Sequence, residues 1–95
     1  MVDPKKIQSV VTHLENEFPG CTVEGHHDLA QRVHRFVIKN GATAYRAIVL
    51  EEFLETHKAE EIPPLLTMFT LAEHLRELPS AGFVVTKRGL KLEHE

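Results

Sequence analysis

Apolar residues recur at helical spacing from Ile7 to Phe18, alternate with polar ones from about Cys21 to Leu50, and return to a helical rhythm beyond Leu65. In the first stretch Ile7, Val10, Val11, Leu14 and Phe18 fall on one stripe of a helix. Asp3 is placed to cap its free amides, Pro4 suits its first turn, and Pro19-Gly20 stops it. The spacing predicts a helix that covers something with one face.

The middle stretch reads as three strands. Asn40-Gly41 is its strongest turn signal, because both residues tolerate the positive φ of a two-residue hairpin. With that pair as the loop, Lys39 faces Ala42, Phe36 faces Tyr45 and Arg35 faces Arg46. A looser hairpin through "DLAQ" brings residues 21–27 to the other side of the middle strand, with Val23 near Phe36 and Glu24 near Arg35.

"EEFLETHK" follows as a short helix anchored by Phe53 and Leu54. The residue before a proline is pushed out of the helical region, so the next helix is expected to begin at Pro64 and run to about Leu78. "FVVTKRGLKLE" closes the chain as one or two strands. The order is a helix, three strands, two helices and one or two strands. It predicts one α+β domain over residues 1–95, with a small, mainly antiparallel sheet of three to five strands packed by helices.

Strand alternation sorts the side chains. One face gathers Phe36, Ile38, Tyr45, Ala47 and Val49; the other gathers Val33, Val37, Ala44, Ile48 and Leu50 around Arg35 and Arg46, with Glu24 and His26 as neighbours. A small antiparallel sheet with one wet face should alternate more cleanly. The last long helix shows the same surplus: Leu65, Met68, Phe69, Ala72 and Leu75 make a stripe, while Leu66, Leu71 and Leu78 fall outside it. The expectation is a contiguous apolar patch covered by another chain, most simply a second copy. Val33, Arg35, Val37, Arg46, Ile48 and Glu24 are the candidate contact residues. Glu24 is the expected bridge between the two arginines.

Composition narrows the function further. The 95 residues are 42% hydrophobic and 26% charged, as in ordinary globular domains. A net charge of -3 gives no global attraction for nucleic acid or anionic lipid. The start of the chain lacks the apolar run of a signal peptide, and no stretch approaches the ~20 apolar residues of a membrane span. One cysteine, Cys21, excludes an internal disulfide, which suits a reducing compartment, and a cytoplasmic location is expected.

Candidate chemistry is sparse. Seven histidines include the adjacent pair His26-His27, but neighbours on a strand point to opposite faces and no HExxH motif exists. His13 and Glu17 lie one turn apart on the first helix, away from its stripe, and read as a solvated pair. His34 shares the face of Phe36, where a hydrogen-bonded buried histidine is expected. Cys21 and the Glu24–His26 pair stand in no catalytic motif. No metal, cofactor or reaction is called for, and the expected role is a non-enzymatic interaction module. The alternative is nucleic-acid binding. "TLAEHLRELPSAGFVVTKRGLKLE" resembles the end of a winged helix domain, which implies a reading helix and a hairpin tipped by Lys87, Arg88 and Gly89. That helix, however, carries Glu73 and Glu77 against Arg76. Phe36 and Tyr45 on an open sheet offer a second route, by stacking bases.

Overall fold

The computed structural model describes residues 2–93. Helix α1 (Pro4–Glu17) leads into the strands β1 (Thr22–Asp28), β2 (Val33–Asn40) and β3 (Thr43–Leu50). Helix α2 (Glu51–Thr56), a 3-10 turn (Ala59–Glu61), α3 (Ile62–Met68) and α4 (Leu71–Glu77) connect them to β4 (Gly82–Thr86) and β5 (Gly89–Leu92). The sheet runs β1-β2-β3-β4-β5, antiparallel except where β4 lies parallel to β3. This is the expected α+β class. A parallel neighbour needs a long crossover, and α2 to α4 provide it.

Local signals act as read at the first helix. The Asp3 carboxylate accepts the Lys5 N–H at 2.9 Å and Pro4 sits in the first turn. At the β2–β3 hairpin the loop lies one residue later than expected: Asn40 pairs with Thr43 inside the ladder, and Gly41 with Ala42 forms the turn. Gly41 takes φ +60°, which suits the glycine-first two-residue turn. The register moves by two, so Arg35 faces Ile48, Arg46 faces Val37, and Phe36 faces Ala47. The first hairpin is offset likewise, with Glu24 opposite Val37 and His26 opposite Arg35. A shift of two keeps every side chain on its face.

The late helix is the larger correction. It begins at Ile62, with Pro63 and Pro64 in its first turn, where a missing N–H leaves no bond unmade. It then breaks at Thr70, whose φ of +55° and ψ of +42° are left-handed. The break re-phases the helix: Leu66 and Leu71, strays on a continuous stripe, are both fully buried. Each such burial stabilises by roughly 1.5–3 kcal/mol.

The core lies on one side of the sheet. Val10, Leu14 and Phe18 from α1, Phe53 and Leu54 from α2, Ile62 and Leu66 from α3, and Leu71, Ala72 and Leu75 from α4 pack on Phe36, Ile38, Ala47, Val49, Phe83 and Val85. The opposite face holds a separate small cluster of Val33, Ile48 and Val84 with Leu50, all from the strands and the end of β3. Among the described residues no helix residue joins it. Among the described residues the exposed large apolar side chains are Leu29 in the β1–β2 connection, Met68 at the end of α3 and Leu78 just after α4. The contiguous apolar surplus expected from the sequence is therefore mostly folded away.

Candidate functional site

The helix-free face is ordered in rows. One row runs His26, Arg35, Ile48, Val84, Lys91 across β1 to β5, and the next runs Glu24, Val37, Arg46, Gly82. Val33 and Ile48, two of the candidate contact residues, form the apolar floor and are almost wholly shielded, at 5% and 7% exposure. Val37 is half-buried, and the side chains of Arg35 and Arg46 are 41% and 48% exposed. Long arginine stems lie over the aliphatic floor and keep their charged heads in water.

Glu24 does not bridge the arginines. Its carboxylate meets Lys39 Nζ at 2.6 Å, because the two-residue register shift moves it away from Arg35. That hydrogen bond and the ammonium charge hold the Glu24 carboxyl below its ordinary range. The acid between the arginines is Glu93, directly after β5, at 3.7 Å from Arg46 and 4.0 Å from Arg35. Arg35 also reaches Asp28 at 3.4 Å, and Arg46 donates to the Ser80 carbonyl at 3.1 Å. Exposed pairs of this kind contribute at most about 1 kcal/mol each, so they set a charge pattern more than a stability. Glu93 lies at the far end of the chain from the hairpin. Only knowledge that β5 returns beside β4 links it to Arg46.

A second cluster sits at the margin of the covered face. His27 and His34 face each other in the β1–β2 ladder and stack with centroids 4.2 Å apart. His27 Nε2 lies 2.8 Å from a carboxylate oxygen of the buried Glu51, and Arg32 Nε approaches the same carboxylate at 4.0 Å. The hydrogen bond from His27 is the main reason the Glu51 carboxyl is held below its ordinary range. Burial pushes the His34 pKa down, helped by the charge on His27 and opposed by Glu51. Nε2 of His34 has no hydrogen-bond partner among the described residues, contrary to the satisfied histidine expected. His13 is also buried, with Nε2 unpartnered, and is not the solvated partner of Glu17. Of the stacked pair, His27 alone is hydrogen-bonded to Glu51. Among the described residues no serine, threonine or cysteine hydroxyl or thiol hydrogen-bonds to the pair, and the half-buried Cys21 packs against the main core. Among the described residues no group of three or more His, Cys, Asp or Glu gathers as a metal site.

The nucleic-acid residues are placed differently from their sequence reading. Phe36 is fully buried and Tyr45 packs on Phe18 at 5.0 Å, so helix α1 covers the face that was to stack bases. Lys87 and Arg88 do tip the β4–β5 turn, but Lys87 is tied to Glu52 at 2.6 Å. The helix before them, α4, buries Leu71, Ala72 and Leu75 against the sheet, and does not project as a reading helix would. No helix among the described residues is long and apolar enough to cross a membrane.

Compared with protein-family models, curated proteins and solved structures, the chain matches none.

Proposed function

We propose that this chain is a non-enzymatic association module, that the helix-free sheet face is its contact surface, and that its partner is a second copy. The observation that supports this reading is the face itself: a five-stranded sheet whose helices all pack on one side, leaving an aliphatic floor rimmed by charge. Charge divides across it by strand. Glu24 and Asp28 line β1, while Arg35, Lys39 and Arg46 occupy β2 and β3. Such a surface is self-complementary, because under two-fold symmetry the acidic margin of one copy can meet the basic centre of the other.

The floor is already nearly dry in one copy, so little apolar area remains to be gained. The contact is therefore weak, reversible and sensitive to salt, at the small end of specific interfaces. Diluting the labelled protein from millimolar to micromolar concentration while following amide and methyl NMR signals tests this. Signals of Val37, Arg46 and Ile48 should move while those of α1 stay fixed. Signals that stay fixed throughout, or that move only along the outer edge of β1, would refute the reading.

A further inference from the structure

Arg46 lies beside Gly82 in the β3–β4 ladder, and glycine leaves that place in the row without a side chain. Glu93 donates its backbone N–H to the Gly82 carbonyl at 2.9 Å and lays its carboxylate into the vacant place. A Cβ on Gly82 would collide with Glu93 Oε1. Gly82 is not among the glycines with positive φ, so here glycine supplies room and not an unusual backbone conformation.

The carboxylate is poorly served where it lies. Oε1 is sealed from water and accepts no hydrogen bond among the described residues, although Arg46 stands 3.7 Å from it and Arg35 lies 4.0 Å from Oε2. A guanidinium carries five donors and binds a carboxylate best through two short parallel bonds. Arg35 donates to Asp28 and Arg46 to the Ser80 carbonyl, so neither guanidinium grips a carboxylate through two short bonds, and both line a hollow of about 130 Å³ together with Val37, Ile48 and Glu93.

We infer that the Arg35–Arg46 pair is a carboxylate-recognition site, that Glu93 fills it in the free chain as an internal stand-in, and that an acidic side chain of a second copy displaces it on association. The identity of the occupant rests on the association reading above; the site itself does not. Glu24 and Asp28, on the same face, are acids that a second copy offers. Glu93 then regulates the surface: while it is seated, only the fraction of molecules with an open fork can bind, and apparent affinity falls by that fraction.

Two variants open the fork by different means. Glu93→Gln removes the competing charge, and Gly82→Ala fills the space the carboxylate needs. Each is titrated with N-acetylglutamate, with N-acetylglutamine as the neutral control, following the Nε–H signals of the arginines by NMR; self-association is measured in parallel by sedimentation. Arg35 and Arg46 signals should saturate at ~3-fold or lower concentration in both variants than in the wild type, with dimerisation tightened in step. Signals that titrate while no protein dimerises would keep the fork and remove the second copy as its occupant. Dimerisation unaltered by either variant, with no arginine response to N-acetylglutamate, would overturn the fork and leave the association reading intact. Absence of both effects would end both.

Discussion

The rings of His27 and His34 lie face to face, 4.2 Å between centroids and 2° from parallel, and Glu51 accepts from the outer ring while the inner one is left unpartnered at Nε2. A second proton on this stack would put two positive rings in contact beneath α2. Phe36 backs His34 at 6.5 Å, and Arg32 adds a further positive charge beside Glu51.

The consequence is a pH-dependent stability with a definite sign. His34 and His13 both have folded pKa values below their ordinary 6.5, chiefly through burial. Between the folded and ordinary values the unfolded chain binds more protons, so stability rises with pH there. It is full above about 6.5 and is lost as pH falls through the folded values. Below the ordinary 4.5 of glutamate the depressed Glu51 and Glu52 carboxyls add a further loss as they protonate. Urea midpoints measured from pH 7.5 to 4 should decline from about 6.5 downward. His34→Phe should shrink that decline, and an unchanged profile in this variant would show that the stack is not its source.

Core truncation tests the helix break. Leu66→Ala and Leu71→Ala should each cost about 2–5 kcal/mol, since both side chains are fully shielded. Leu78→Ala, at 49% exposure, should cost under about 1 kcal/mol. A continuous helix would expose Leu66 and Leu71 and make all three losses small, which denaturant unfolding would distinguish at once.

The hairpin turn is tested by two alanines. Gly41→Ala should destabilise by about 1–2 kcal/mol, because Gly41 holds φ +60°. Asn40→Ala should be nearly neutral, because Asn40 lies in the ladder opposite Thr43 and carries no positive φ. Equal losses at both positions would instead indicate a turn centred on Asn40-Gly41.

These tests follow the line between what was legible in the chain and what was not. Faces were legible: alternation has period two, and a register displaced by two residues preserved the grouping of Val33, Arg35, Val37, Arg46 and Ile48. Opposite neighbours were not, because a one-residue slip in the turn moves every pair, and Glu24 went to Lys39 instead of the arginines. The break at Thr70 lacked a glycine or proline to mark it. The strays Leu66 and Leu71 are its signature, although on a continuous helix they look like surplus surface. Glu93 and Gly82 were out of reach for another reason: their place beside Arg46 exists only because a crossover lays β4 parallel to β3.

Sedimentation equilibrium of wild type and Val37→Glu tests whether the open face joins two copies. Val37 is the better target because Ile48 is buried within one copy, where a charge would threaten the fold. Reversible dimerisation of the wild type at low salt, weakened by added salt, is expected, with loss of the dimer in Val37→Glu while the unfolding midpoint is nearly preserved. A wild type that sediments as a single copy at millimolar concentration and low salt would contradict such a contact.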